Sequence, residues 1–170
     1  MSPRQSRQPK ATEADKSAAD LASLLSRVKT LESRSESGSI TVTKAFHFYA
    51  AHRNPDAGRK CASIHGHRYG LQVSVQHPMA GSVSILFSDL EERVMSVIDL
   101  MDHSLLLSSM DKALQTLVES GACDRMYVVP FETSCENLAS HIYKKLVGFG
   151  LNVTSLTLQE TDTSSVTVSA

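Results

Sequence analysis

The chain has 170 residues and a net charge of −1 at neutral pH, which suits one globular domain of about 130 residues with an appendage. This near-neutral balance does not favour nucleic acid as a partner, and no apolar run approaches the roughly 20 residues that a membrane span needs. Three cysteines, an odd number, and a polar start without the apolar core of a signal peptide predict reduced thiols and a cytoplasmic location.

The residues 1–38 are predicted to form a polar extension ahead of a domain at 39–170. Its first half is rich in Ser, Gln, Pro and charged residues, a composition with too little apolar surface to order itself. From Ser17 to Glu32, apolar residues recur at helical spacing and predict a short amphipathic helix. Three alternatives stay open: it packs on its own domain, it packs on a neighbouring subunit, or it forms only transiently in solution. These apolar residues are Leu21, Leu24, Leu25, Val28 and Leu31.

The first two predicted strands form a long hairpin. β-Branched and aromatic residues that partly alternate with polar ones run from Ile40 to Tyr49, and a second such run extends from Tyr69 to Gln76. Pro55 and Gly58 in the connection let the chain double back. We therefore expect the two runs to pair and to bring the ends of the connection together.

Histidines gather around this connection at the spacing of metal ligands. His65 and His67 are two residues apart, so on a strand both imidazoles leave the same face. His52 ends the first strand, and the turn brings it beside them. Three neutral imidazoles with one open position are the ligand set of a catalytic zinc. Cys61 is either a fourth ligand that closes the site or a thiol held nearby for chemistry, and the spacing leaves both open.

Helical patterns fill the middle of the chain. A helix is predicted from an N-cap at Ser88 to about Leu100, a shorter one from Met110 to Ser120, and a third from a capping box at Thr133 or Ser134 to Gly148. The first helix should bury one apolar face against the sheet. That face consists of Leu90, Val94, Ile98 and Met101.

Two further strands close the chain. Val153 to Gln159 and Ser165 to Ser169 alternate in polarity, and Thr161 to Ser164 is the turn between them. Met126 to Val129 is predicted to be a short accessory strand. Two strands, then helices, then two strands is an α+β order of elements.

Five phrases of this sequence resemble, in the same order, the signature of a known family. FYAAH ends in His52, and CASIHGHRY runs from Cys61 to Tyr69. MDHSLL, PFETSCENLASHIY and LQETDTSSVTV follow. Together they resemble the 6-pyruvoyltetrahydropterin synthase and 6-carboxytetrahydropterin synthase family over roughly Ser39 to Ala170.

The resemblance implies a fold and an assembly. The fold is the α+β tunnelling fold (T-fold), a four-stranded antiparallel sheet with helices on one face and a ββααββ-like order. The assembly is a homo-oligomer, a trimer or a hexamer of two stacked trimers, with active sites at subunit interfaces. The exposed edges of such a sheet agree with this expectation, because long edge strands tend to be paired.

The resemblance also implies roles for residues outside the histidine cluster. A carboxylate accepts two parallel hydrogen bonds from a planar donor pair, which the amino-pyrimidinone edge of a pterin offers, so Glu160 is predicted to anchor a pterin. Thr133 and Ser134 are predicted to contact the same ring. The predicted zinc ligands remain His52, His65 and His67, and the predicted catalytic residues are Cys61, Asp102 and His103.

Positive charges near the loop suit two purposes. A thiolate forms readily beside a cation, so the basic neighbours of Cys61 favour a reactive thiol. A triphosphate would also need cations, but the spacing does not choose among the candidates. These candidates are Arg53, Arg59, Lys60 and Arg68.

The implied activity is that of a zinc-dependent lyase acting on 7,8-dihydroneopterin triphosphate. The compact CASIHGHRY phrase and the short loops favour 6-carboxytetrahydropterin and acetaldehyde as products, a step toward queuosine and other deazapurines, and 6-pyruvoyltetrahydropterin is the alternative. A non-enzymatic alternative is a zinc-stabilised interaction domain in which Cys61 closes the tetrahedron. Another tunnelling-fold enzyme, such as a GTP cyclohydrolase or a dihydroneopterin aldolase, is disfavoured because its metal-ligand pattern differs.

Overall fold

The structure is a computed structural model that describes residues 20–30, 38–58, 60–79 and 85–170. No helix in these segments is both long and apolar enough to cross a membrane. Residues 20–30 are helical, and the apolar side chains that they carry are exposed. The rest of the predicted N-terminal extension, up to residue 37, and Arg59 of the loop lie outside the described residues.

A long antiparallel hairpin forms the centre of the sheet. β1 (Ser39–His52) and β2 (His65–Pro78) pair along their whole length, so the last residue of β1 lies opposite the first residue of β2. Alternate side chains of both strands are buried, because one face of the hairpin packs on the core and the other does not. The predicted hairpin is confirmed.

Four more strands extend the sheet on both sides of the hairpin. β5 (Val153–Thr161) and β6 (Ser164–Ser169) continue it antiparallel beyond β2, which confirms the predicted four-stranded antiparallel sheet. β3 (Ser104–Ser108) and β4 (Met126–Val129) pair in parallel beyond β1. The strand order is β4-β3-β1-β2-β5-β6, so β3 and β4 widen the predicted sheet.

The first helix, α1 (Phe87–Ile98), follows the predicted apolar pattern but not the predicted cap. Ser88 is not its N-cap, because the helix already begins at Phe87. Its N-cap is Leu86, which makes no side-chain cap hydrogen bond. The Ser88 hydroxyl instead donates to Asp89 Oδ1 at 3.3 Å. All four side chains predicted to face the sheet are fully buried, which confirms the inner face.

The other two helices begin at side chains that accept a backbone N–H. α2 (Lys112–Glu119) starts after Asp111, which accepts from Leu114 N–H. α3 (Cys135–Gly148) starts after Ser134, whose hydroxyl accepts from the N–H of Asn137. Of the two predicted caps of α3, Ser134 is therefore correct, and the capping box that starts at Thr133 is wrong.

The helices occupy two different faces of the sheet. The main core lies between one face and the helices α1 and α3, and it includes Leu106 of β3. A second, smaller cluster joins Leu105 and Leu107 to Leu114 of α2. Because neighbouring residues of a strand point to opposite faces, α2 packs on the side away from α1 and α3. The α+β architecture holds, with one short helix added on the second face.

Truncating a buried side chain of α3 should lower the stability of the protein, because it leaves a cavity in the main core. Ile142 is fully buried, whereas Val147 of the same helix is 44% exposed. Ile142→Ala is expected to lower the free energy of unfolding by about 2–5 kcal/mol, because it removes buried contacts and leaves a void. Val147→Ala is the matched control and should stay within about 0.5 kcal/mol of the parent. Equal denaturant midpoints for the two variants in urea unfolding would contradict this core assignment.

Candidate metal centre

Three histidines meet at one end of the β1–β2 hairpin. His52 pairs directly with His65, and His67 follows two residues along β2 on the same face. The ring centroid of His52 lies 4.6 Å from that of His65 and 5.2 Å from that of His67, and the last two are 4.9 Å apart. One possible ligand atom from each residue lies within 4.8 Å of the other two. The hairpin register therefore forms a cluster that could hold a metal ion.

Two of the imidazoles are oriented by backbone carbonyls. His52 Nδ1 lies 2.6 Å from the carbonyl oxygen of Thr133, and His65 Nδ1 lies 2.8 Å from that of Ser63. Because a carbonyl only accepts hydrogen bonds, each Nδ1 carries the hydrogen and donates it. When these rings are neutral, the lone pair is then on Nε2, the tautomer that a metal ligand needs.

Two ring nitrogens of the cluster lack hydrogen-bond partners within the described part of the chain, which also suits the binding of a cation. The Nε2 atoms of His52 and His67 are buried, and neither has a hydrogen-bond partner among the described residues. Burial lowers the pKa of His52 and that of His67, although Glu160 acts in the opposite direction on both. Both rings are thus neutral at neutral pH, the form that binds metal. A metal ion would satisfy nitrogens that are otherwise costly to bury.

The loop that carries Cys61 lies close to this cluster, but its sulfur does not join it. The backbone N–H of Asn54 donates to the Cys61 carbonyl at 2.7 Å, which closes the loop. The half-buried Cys61 is a free thiol, and its sulfur is not part of the group of ligand atoms that lie within 4.8 Å of one another. In this structure the cysteine is therefore not placed as a fourth ligand.

Glu160 of β5 lies beside the cluster. Its Oε1 is 3.5 Å from His52 Nε2, and its side chain is 25% exposed. Tyr69 lies below, with its ring 5.5 Å from that of His67 and its hydroxyl buried. Burial, followed by the charge of Glu160, raises the pKa of Tyr69 far above its usual range, so this phenol stays protonated. Glu160 and Tyr69 therefore both border the histidine cluster.

Thr133 and Ser134 both make structural contacts, and only the cap at Ser134 was predicted from the sequence. The Thr133 carbonyl accepts from His52, and its hydroxyl donates to the carbonyl of Arg53 at 3.2 Å. Thr133 is 1% exposed. Ser134 caps α3 through its hydroxyl oxygen. Thr133 thus directly orients His52 of the histidine cluster.

Asp102 and His103 form a hydrogen-bonded pair. His103 Nδ1 donates to Asp102 Oδ2 at 2.8 Å, while Asp102 Oδ1 accepts from the N–H of Tyr49 at 2.8 Å. The backbone hydrogen bond from Tyr49, with a smaller contribution from His103, lowers the pKa of Asp102. His103 has a φ of 54°, which is uncommon for a residue other than glycine. The carboxylate therefore orients this imidazole.

This pair lies on the other side of the sheet from the histidine cluster. The His103 ring packs 5.5 Å from the ring of Tyr49, and Tyr49 alternates along β1 with the inward-facing Ala50 and His52. A cleft of about 860 Å³ opens on the His103 side. Its lining includes Arg68, Leu117, Cys123 and Arg125, and at the start of β2 it also reaches His67. Within one chain, the candidate site residues are thus divided between two faces.

Sequence reasoning missed an ion pair next to the cluster. Arg53 Nε and Nη2 each donate to a different oxygen of Asp111, both at 2.6 Å. The Arg53 guanidinium is therefore committed to a carboxylate and is not a free cation for a triphosphate. Nothing local could have indicated this contact, because it joins the end of β1 to the start of α2.

The sheet, the helices and the histidine cluster together define an α+β protein with a candidate metal centre. The sequence model of the 6-pyruvoyl tetrahydropterin synthase family matches residues 41–170. A relative from Rickettsia conorii, named 6-carboxy-5,6,7,8-tetrahydropterin synthase, is 31% identical over 76% of this chain and 99% of its own length. A relative of the same name from Haemophilus influenzae is 33% identical over 72% of this chain and 94% of its own. This chain belongs to the 6-pyruvoyl tetrahydropterin synthase family, and it is an enzyme of the lyase class.

Solved structures confirm the fold. The 6-pyruvoyl tetrahydropterin synthase of Caenorhabditis elegans superposes with a TM-score of 0.59 at 20% identity, over 79% of this chain and 98% of that one. The enzyme of the same name from Plasmodium vivax gives 0.60 at 18% identity, over 77% and 97%. At identities this low, the superpositions show only that this chain has the tunnelling fold. Family membership, in turn, disfavours the interaction-domain alternative and the other tunnelling-fold enzymes.

Metal binding should depend on the inward-facing histidines only. The purified protein is expected to bind one divalent ion per chain, and His52→Ala should release it, as measured by elemental analysis after dialysis. His47→Ala is the control, because His47 is exposed on the opposite side of β1. Since the pKa values of His52 and His67 are lowered, binding should persist at neutral pH and weaken only below about pH 6.5. Equal metal loss in both variants would contradict the assignment.

Proposed function

We propose that this protein is a zinc-dependent lyase that converts 7,8-dihydroneopterin triphosphate to 6-carboxy-5,6,7,8-tetrahydropterin, with release of acetaldehyde and triphosphate, on the route to queuosine and other deazapurines. The observation that carries the proposal is the cluster of three imidazoles, with His52 buried and His65 and His67 half-buried, beside the Glu160 carboxylate. The printed name of the curated relatives supports the choice of product. Three free thiols support a reducing, cytoplasmic setting.

Zinc is the metal that best suits this ligand set. Three neutral imidazoles without a fourth protein ligand are typical of catalytic zinc sites, whereas structural sites are closed by four. The proposed ligands are His52, His65 and His67. When bound, zinc supplies Lewis acidity toward the hydroxyl groups of the substrate side chain.

Glu160 is proposed to hold the pterin ring. Its carboxylate can accept hydrogen bonds from the ring N–H and the exocyclic amino group at the same time, as it would from a guanidinium. Its position 3.5 Å from His52 Nε2 supports this role, because the substrate side chain would then extend over the cluster. Thr133 and Ser134, at the start of α3, are proposed to border the same ring.

Cys61 is proposed to act as a thiol rather than as a ligand. Its sulfur lies outside the group of ligand atoms, which supports the open alternative over the closed one. A thiolate near a cation can take a proton from the substrate side chain. Asp102 is proposed to hold His103 so that its imidazole transfers the second proton.

The proposed roles of Cys61 and His103 require that His103 comes from a second chain. Because His103 lies on the opposite side of β1 from the histidine cluster, one subunit alone does not bring it to the proposed metal. The described sheet ends in β4 and β6, whose outer edges are unpaired in a single chain. Edge pairing between subunits would close a barrel and satisfy these edges. We therefore propose a homo-oligomer, a trimer or a hexamer, with the active site at the subunit interface.

Product analysis tests the activity directly. Purified, zinc-loaded protein with 7,8-dihydroneopterin triphosphate should release acetaldehyde in step with 6-carboxytetrahydropterin, as followed by chromatography and an aldehyde assay. The family description and the solved relatives favour 6-pyruvoyltetrahydropterin as the second candidate product. A pyruvoyl product without acetaldehyde would reverse the choice, and substrate left intact would refute both.

The shared active site predicts complementation between inactive variants. Cys61→Ala and His103→Ala should each keep zinc and lose at least about a hundredfold in turnover, since each removes one proton-transfer group. Subunits of the two variants, mixed by co-expression, should recover roughly a quarter of the parent activity, because some interfaces then receive both intact residues. A mixture as inactive as its components would show that both groups act within one chain.

A further inference from the structure

We propose that the Arg53–Asp111 ion pair is a positioning device for the metal ligand His52. The guanidinium donates through Nε and Nη2 to the two carboxylate oxygens, both at 2.6 Å. The Asp111 side chain is 5% exposed and that of Arg53 is 23% exposed. A bidentate pair of this kind fixes direction as well as distance, so it holds the residue that directly follows His52.

The acidic partner is itself anchored. Asp111 is the N-cap of α2, and its Oδ1 accepts from the N–H of Leu114 at 3.0 Å. The carboxylate is thus tied to a helix that packs on the second face of the sheet through Leu114. Arg53 is therefore held against a rigid element and not against a free side chain.

Two hydrogen bonds through Thr133 link the backbone of Arg53 to the imidazole of His52. The Arg53 carbonyl accepts from the Thr133 hydroxyl at 3.2 Å, and the Thr133 carbonyl accepts from His52 Nδ1 at 2.6 Å. His52 and Arg53 are adjacent, so the contacts close on themselves. Moving Arg53 would shift Thr133, and the Thr133 carbonyl sets the tautomer and the direction of the His52 ring. Partners behind a metal ligand commonly control its affinity in this way.

The inference rests on the proposed metal site but not on the proposed reaction, so metal binding is its test. Asp111→Asn keeps an oxygen that can accept from Leu114 N–H and removes the charge that holds Arg53. Zinc affinity, measured by competition with a chelator, should fall about 10–100-fold. The visible absorption of the cobalt-loaded protein should shift as well, because the geometry at His52 changes.

The control is a second ion pair, which joins β1 to α1. Lys44 Nζ lies 2.6 Å from Glu91 Oε2, but this pair is more exposed and lies away from the cluster. Glu91→Gln should leave the zinc affinity and the cobalt spectrum unchanged. Arg53→Lys keeps the positive charge without the planar fork and should lose affinity in the same direction as Asp111→Asn.

Each result has a defined meaning. A folded Asp111→Asn that binds zinc like the parent, or that melts earlier with an unchanged cobalt spectrum, would reduce the pair to a purely structural role and overturn the inference. If Asp111→Asn does not fold, Arg53→Lys decides by the same two measurements. A parent protein that binds neither zinc nor cobalt would instead refute the proposed metal site, and the inference with it.

Discussion

The register between β1 and β2 is the constraint on which both the core and the site depend. His52 lies opposite His65, and farther along the same face Phe48 lies opposite Tyr69 with their rings stacked at 5.0 Å. A slip by one residue would move every one of these side chains to the other face. The apolar pairs and the imidazoles are therefore set by the same pairing. Core burial stabilises the register, and the register in turn assembles the candidate ligands at the end of the strand.

Local patterns predicted the elements that bury one face, and they failed where an element is buried on both. The period of α1 and the alternation in the hairpin each point to a single buried side. β3 was missed because Ser104–Ser108 is buried at every position, which leaves no alternation to detect. The predicted cap at Ser88 was wrong for a different reason: a good N-cap residue favours a helix start but does not fix its position. The helix instead begins at Phe87, and Leu90 of its first turn is buried in the main core.

The candidate ligands could be predicted from spacing, but their orientation could not. His65 and His67 share a face by strand geometry alone. The carbonyl that orients His52 belongs to Thr133, 81 residues away in sequence, and no pattern at either position indicates the contact. His103 illustrates the same gap. Its contact with Asp102 follows from adjacency, yet the face on which it lies depends on the pairing of β3 with β1, which was not predicted.

The arrangement of acceptors explains why a cation belongs in this site. Since the hydrogen of neutral His52 is on Nδ1 and is donated to Thr133, its Nε2 carries a lone pair that faces Glu160 Oε1 at 3.5 Å. Two acceptors at that separation repel each other unless a cation or a donor lies between or beside them. Protonating Nε2 would remove the conflict, but burial lowers the pKa of His52 and opposes it. A metal ion on the imidazoles, together with the proposed donor edge of the substrate on the carboxylate, would relieve the repulsion from both sides. The geometry of His52 and Glu160 therefore favours a positive charge or a hydrogen-bond donor between them, which is what the proposed metal and substrate would each supply.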